Sequence, residues 1–247
     1  MNILSIQLGH NATVALLQDG EIKIILSQEK FDYIKNSGAF PQEPIKFILR
    51  QYKLDMPASG QSNRPASPGD SSSIDAVAIC GTHIYPNIIS SGAPDIARLG
   101  FWPGIDYRFP ALGRVVKGAF RSTIQKSKLA EAKKKLIARL GTMLGVGHDK
   151  IFFVDHHTCH AYTPYFGFLG ERRKQDWAVL TSDGVGDFIA ASVSVGSAGD
   201  LQRISATPVE HSLGYVYAQT TEFLGMKSLE LEYKVMGLAA YVKKIYG

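Results

Sequence analysis

A three-stranded pattern occurs twice in this chain, at residues 2–28 and 177–207, and any fold has to accommodate both copies. In the first copy, residues 3–8 read as a strand and Gly9-His10-Asn11 as a tight turn. Residues 12–18 form a second strand, and Asp19-Gly20 is a strong two-residue hairpin signal. Residues 21–27 alternate as a third strand. In the second copy, residues 177–182 read as a strand ending in the turn Asp183-Gly184-Val185-Gly186-Asp187. Residues 188–195 follow as a strand, and Gly196 to Asp200 turn the chain into a third at 201–207. A repeated supersecondary unit points to a duplicated architecture, here of α/β class. The exposed backbone N–H groups of such turns can cradle phosphate oxygens, so two turns facing one cleft would make a nucleotide site. β-meanders are common, and a coincidental repeat is the alternative.

Between the copies, residues 44–52 carry Ile45, Phe47, Ile48 and Leu49 at helical spacing. Residues 56–73 are rich in Pro, Gly and Ser and nearly devoid of apolar side chains, which predicts a flexible surface loop. Residues 74–81 read as a buried strand, and 90–110 carry no clear periodicity. A basic helical insertion is expected at about 112–145, with Leu129, Ala132, Leu136 and Leu140 on one face and Lys and Arg on the other. A solvated face is the plain reading of that charge; contact with an acidic partner or polyanion is the other. Residues 151–154 read as a short buried strand. Residues 211–224 have helical spacing, with Ser212 as N-cap and Gly225 just past the end.

Composition narrows the function classes. The 247 residues are 45% hydrophobic with a mean hydropathy of −0.03, which is ordinary for a globular chain. No apolar run reaches the roughly 18–20 residues that span a membrane. The N-terminus enters a strand at once, so no signal peptide is expected. Two cysteines, Cys80 and Cys159, are too few for a disulfide framework, so a cytoplasmic location is expected. A net charge of +5 permits anionic ligands such as nucleotides without requiring nucleic acid.

Chemistry is concentrated in Asp155-His156-His157-Thr158-Cys159-His160. Three of the seven histidines fall within five positions. On a helix, His156 and His160 share a face with Cβ atoms about 5–6 Å apart. Two imidazoles so placed can grip a metal ion, and a carboxylate from a strand end would complete a site of two nitrogens and one oxygen with open positions for substrate. His157 points elsewhere and reads as structural. Cys159 makes zinc conceivable, although a small buried thiol is the simpler reading.

Five blocks, in order, resemble the N-terminal part of the NodU/CmcH-type O-carbamoyltransferases. They are Leu4 to Thr13 with Asp19-Gly20; Gln28-Glu29-Lys30-Phe31 leading to Lys35; Asp155 to Ala161; Leu180 to Asp187; and His211-Ser212-Leu213-Gly214 with Glu232 to Ala239. The chain departs from the family's Ala-Pro-Tyr-Gly, carrying Ala239-Ala240-Tyr241-Val242 there.

The resemblance implies the actin, sugar-kinase and heat-shock ATPase superfold, with a first lobe at 1–170 and a partial second lobe at 171–247. It implies a carbamoyl group passed from carbamoyl-adenylate, made from ATP and carbamoyl phosphate by a YrdC-type domain, to a substrate hydroxyl near a bound divalent metal. Iron is the metal usually described; zinc and manganese are alternatives. By position, His156, His160 and Asp183 would be metal ligands and His10 the catalytic base. Lys35, the Asp183-Gly184-Val185-Gly186-Asp187 block and Gly214 would contact carbamoyl-adenylate. The acceptor would be a small molecule or nucleoside hydroxyl, with nucleic acid open. A second subunit is expected to supply the rest of the actin-like domain and the YrdC-type domain. Two other readings are a non-catalytic, partner-binding half-domain and a DHH-type phosphoesterase. The latter needs an upstream Asp-x-Asp, which the chain lacks.

Overall fold

The computed structural model describes residues 1–54, 73–83, 126–228 and 230–241. The expected loop at 56–73, apart from Ser73, and the stretch at 90–110 lie outside these residues, as does the basic segment before 126. The chain divides into two compact units, Met1–Val154 and Asp155–Gly247.

The first unit is built on a five-stranded mixed sheet of order β3-β2-β1-β4-β5. β1 (Asn2–Gln7), β2 (Thr13–Gln18) and β3 (Glu21–Ser27) form the predicted antiparallel meander. Both residues of the Asp19-Gly20 turn have positive φ, 51° and 86°. That geometry matches the twist of the flanking strands. β4 (Ala76–Cys80) adds in parallel to β1, and β5 (Ile151–Val154) in parallel to β4. Ile151 is buried, whereas Phe152 is 55% exposed, so β5 is buried on one face only.

Alternation along β1 and β2 turns Leu4, Ile6, Val14 and Leu16 inward, all fully buried. Between β3 and β4, α1 (Glu29–Asp32) is a single turn and α2 (Gln42–Gln51) delivers Ile45, Ile48 and Leu49 to the same core. α3 (Lys126–Leu144) adds Ala132, Leu136 and Leu140 at the predicted spacing, with Leu129 buried too. Its basic face is largely solvated: Lys134 and Lys135 are exposed, while Lys133 and Arg139 lie over the rings of Phe153 and Phe40.

The second unit holds α4 (His156–Gly167), then an antiparallel meander of β6 (Trp177–Gly186), β7 (Ile189–Ser197) and β8 (Asp200–Pro208). α5 (Leu213–Phe223) and α6 (Glu232–Leu238) follow. Ser212 caps α5 by accepting from Tyr215 N–H, and Gly225 follows the helix at φ 74°, as the sequence predicts. The core is small: Ala161, Tyr165 and Val179 are buried, with Leu169, Trp177 and Leu201 packed around them. A Cβ on Gly196 would overlap the Tyr165 ring, so glycine at that position lets α4 close on the sheet.

One expectation needs correcting. Asp183 to Asp187 is not the turn. β6 continues through Gly186 with a register shift after Ser182, and the chain reverses at Asp187-Phe188. Both of those residues have positive φ, 50° and 65°, and Gly186 pairs with Ile189. The glycines let the strand carry an irregularity rather than end it.

Candidate metal centre

Two carboxylates accept from N–H groups at the start of α4, and an arginine braces one of them. Asp155 is the N-cap and accepts from Thr158 N–H at 2.9 Å. Asp187 accepts from His156 N–H at 2.9 Å. Arg203 of β8 donates to the Asp155 carboxylate and, at 2.9 Å, to Thr158 Oγ1. Burial pushes the Asp155 carboxyl up, but the Arg203 and Thr158 hydrogen bonds outweigh it and hold the group below the usual range. Two acidic side chains at a helix N-terminus are electrostatically favourable.

With the helix so anchored, His156 and His160 share the face that meets β6. His156 Nε2 lies 2.8 Å from Asp183 Oδ2 and 3.0 Å from His160 Nε2. His160 Nε2 lies 3.5 Å from the same oxygen. Burial alone would push the Asp183 carboxyl up. Hydrogen bonds from His156, His160 and Gly184 N–H overcome this and hold it far below the carboxylate range. The Asp183 contact raises His156.

Hydrogen bonding serves this trio only if one hydrogen on His156 Nε2 is shared between Asp183 Oδ2 and a lone pair on His160 Nε2. An imidazole nitrogen carries either a hydrogen or a lone pair. If His156 Nε2–H donates to Asp183, no lone pair remains for His160, 3.0 Å away. A hydrogen on His160 would then face another hydrogen. A cation drawing on all three lone pairs would remove this constraint. One donor atom from each of the three residues lies within 4.8 Å of the others. Two imidazoles and one carboxylate are a donor set that iron, zinc and manganese all accept. His160 is about half exposed, which leaves the centre open on one side.

Two glycines set the spacing. A Cβ on Gly186 would overlap the His156 ring, so that imidazole reaches Asp183 only because position 186 has no side chain. A Cβ on Gly214 would sit 2.6 Å from Gly184 Cα. The start of α5 therefore presses on the Asp183-Gly184 backbone, where Ser212 Oγ also donates to Gly184 O at 2.7 Å. Val185 is exposed on the same irregular segment.

Sequence reasoning did not single out Arg203, Thr181 or Ser192. A lone Arg, Thr or Ser in a strand carries no signal until its partner is known. His157, read as structural, is fully buried, with Nδ1 2.7 Å from Thr181 Oγ1 and Nε2 2.9 Å from Ile189 O. Burial lowers its pKa and favours the neutral ring. Cys159 and Cys80 are both partly buried and neither is in a disulfide.

The other candidate residues lie in the first unit. His10 is exposed on the connection between β1 and β2, with Nδ1 3.2 Å from Asn11 Nδ2. That connection is bonded to the segment after α1: Asn11 N–H and Ala12 N–H donate to Asn36 O and Ser37 O. The same segment displays Lys35 between Tyr33 and Asn36, both with positive φ. Asp32 braces it, accepting from Ser37 Oγ at 2.6 Å, Ile34 N–H at 3.0 Å and Gln28 Nε2 at 3.1 Å. The structure thus brings the His10 and Lys35 segments together in one unit, and His156, His160, Asp183 to Asp187 and Gly214 together in the other.

Residues 113–245 match the model of the family described as carbamoyltransferase N-terminus. The chain belongs to this family. It is 26% identical over 232 residues to nodulation protein NolNO of Sinorhizobium fredii, covering 94% of this chain and 28% of that protein. An uncharacterized protein of Methanocaldococcus jannaschii is 25% identical over 239 residues, covering 97% of this chain and 33% of its own length. Nodulation protein NolO of Bradyrhizobium diazoefficiens is 36% identical over 88 residues, or 36% of this chain and 15% of that one. This carbamoyltransferase-family chain spans about a third of the length of the curated relatives matched over most of it. Among its described residues, no helix is long and apolar enough to cross a membrane.

Proposed function

We propose that this chain is the carbamoyl-transferring part of an O-carbamoyltransferase, acting with a YrdC-type domain that makes carbamoyl-adenylate from ATP and carbamoyl phosphate. The observation that carries the reading is the convergence of His156, His160 and Asp183 within a member of the carbamoyltransferase family. In this reading the two meanders are the starts of two actin-like lobes, 1–170 and 171–247. Its support is the shared three-stranded antiparallel order in both sheets.

His156, His160 and Asp183 would hold a divalent cation, iron by family resemblance and zinc or manganese by donor chemistry. When bound, the ion supplies Lewis acidity and a template for an oxygen. The chain's own residues do the rest. An alcohol is a poor nucleophile, so His10 accepts its proton as the oxygen attacks the carbamoyl carbon. The bond from that carbon to the adenylate phosphate oxygen breaks, and AMP leaves. His10 Nδ1 lies 3.2 Å from Asn11 Nδ2, which can only donate, so Nδ1 presents a lone pair to it. Lys35 and N–H groups of the Gly184 to Asp187 segment and Gly214 would hold the adenylate. The acceptor is a small-molecule or nucleoside hydroxyl.

Metal content and Co(II) binding test the centre. The full chain should bind one Co(II), and His156→Ala with His160→Ala should abolish binding. A wild-type chain that takes up no Co(II), Fe(II), Zn(II) or Mn(II) would refute the metal reading. With a YrdC-type partner, ATP, carbamoyl phosphate and an alcohol acceptor, His10→Ala should slow transfer about 10²–10⁴-fold. Unchanged transfer would refute the base assignment. No transfer to any acceptor by a metal-loaded pair would favour the partner-binding reading.

A further inference from the structure

We infer that His157 is a positioning residue: with Thr181 and Ser192 it forms a buried hydrogen-bond chain that sets the spacing between the helix and the strand carrying the three converging side chains. The inference rests on the proposed metal centre for its function, but its geometry stands apart from any ion.

The direction of each bond follows from what each group can do. Ile189 O is a carbonyl and only accepts, so the His157 nitrogen 2.9 Å away, Nε2, carries the hydrogen. In the neutral ring, Nδ1 is then the lone-pair nitrogen. The Thr181 hydroxyl, 2.7 Å from Nδ1, must donate to it. Thr181 Oγ1 has two lone pairs left. One receives Ser192 N–H at 3.1 Å and the other the Ser192 hydroxyl at 2.7 Å. Every valence of the Thr181 hydroxyl is thus used, and the chain has one consistent order: Ser192 to Thr181 to His157 to Ile189.

Its position gives it leverage. His157 is adjacent to His156 on α4 and three residues before His160. Thr181 is two residues before Asp183 on β6 and faces the same helix. One 2.7 Å bond therefore ties the element holding two nitrogens to the element holding the oxygen. His157 and Thr181 are 0% and 8% exposed, so neither can exchange its partner for water without opening the helix–sheet contact. Each half-exposed or partly exposed side chain in the trio is aimed from a rigid, buried support, as tight metal sites require.

Thr181→Val keeps the shape and removes the hydroxyl; Thr181→Ser restores it. In the full chain, Thr181→Val should weaken Co(II) affinity about 10–100-fold, and Thr181→Ser should bring it back to within about 3-fold of wild type. The visible Co(II) spectrum should change in the valine variant and recover in the serine variant. Metal-free imidazole ¹⁵N–¹H spectra supply a second reading. His157 should appear as the Nε2–H form in wild type, and the His156 and His160 signals should move in Thr181→Val and return in Thr181→Ser. If Thr181→Val fails to fold, Ser192→Ala, which removes one donor, should give the same changes at smaller size. A folded Thr181→Val protein whose His156 and His160 signals do not move overturns the positioning role, whether or not the wild type binds metal. Wild type without Co(II) binding but with moving signals overturns only the metal reading.

Discussion

The two meanders share strand order and a two-residue second turn, yet differ at the first. β1 and β2 are joined by five residues, 8–12, between the paired Gln7 and Thr13. β6 and β7 are joined by two, Asp187 and Phe188, because β6 runs four residues past its last regular pair at Ser182. The second turns are alike: Asp19-Gly20 and Ala198-Gly199 each have two positive φ values, with glycine in the second place. At Asp187-Phe188 a bulky side chain stands where the others have glycine, at φ 65°. A conformation of that kind costs about 1–2 kcal/mol for an ordinary residue. It persists here in the turn that also aims the Asp187 carboxylate at the start of α4. The first meander is a core element: α2 packs on its strands, α3 adds to the same core, and its signal is hydrophobic. The second has a thin core, and its irregular strand end is held by polar contacts to α4 and α5. The larger hydrophobic core and the converging His156, His160 and Asp183 thus lie in different units.

Four substitutions bear on that contrast. The largest effect is expected at Leu136, fully buried in the first core. Leu136→Ala should cost about 2–5 kcal/mol by urea unfolding. A cost below 1 kcal/mol would mean that the first unit lacks the deep core described. Gly186→Ala comes next, at about 1–3 kcal/mol, because the new methyl meets the His156 ring. It should also weaken Co(II) binding. A variant of wild-type affinity would show that His156 does not depend on the missing side chain.

Asp187→Ala removes one acceptor at the start of α4 and should cost about 1 kcal/mol, read as faster amide exchange in the first turn of that helix. Unchanged exchange there would make the second meander's strained turn unrelated to the helix. The smallest effect is expected at Asp32, whose folded pKa is depressed. Partial burial pushes the carboxyl up, but the bonds from Ser37, Ile34 and Gln28 prevail. Stability from a depressed carboxylate is fully present above its unfolded pKa, near 3.9, and is lost as pH falls through the lower folded value. Asp32→Asn should therefore be destabilising at pH 6 and converge on wild type as pH falls through the depressed folded value. A difference that grows with acid would refute this sign.

Much of the first unit was legible because its elements are marked locally. Alternation fixed β1 and β2, Asp19-Gly20 fixed their neighbour's turn, and the spacing of Leu129, Ala132, Leu136 and Leu140 fixed α3. The Asp183 to Asp187 block was misread as a turn. Glycines, aspartates and two-residue reversals carry the same local signal whether a strand ends or bends, and pairing with β7 decides between them. His156 and His160 were legible as a pair because their spacing is helical. Arg203, Thr181 and Ser192 were not, since each acts through a partner far along the chain.

The sequence by itself determined the two meanders, the helix faces and the residues with ligand chemistry, because each depends on neighbours within a few positions. Only the tertiary structure decided that Asp183 meets the two imidazoles, that Gly186 makes room for one of them, and that His157 is locked through Thr181. Those contacts join positions 24 to 32 residues apart, and their distances depend on how helix and sheet pack.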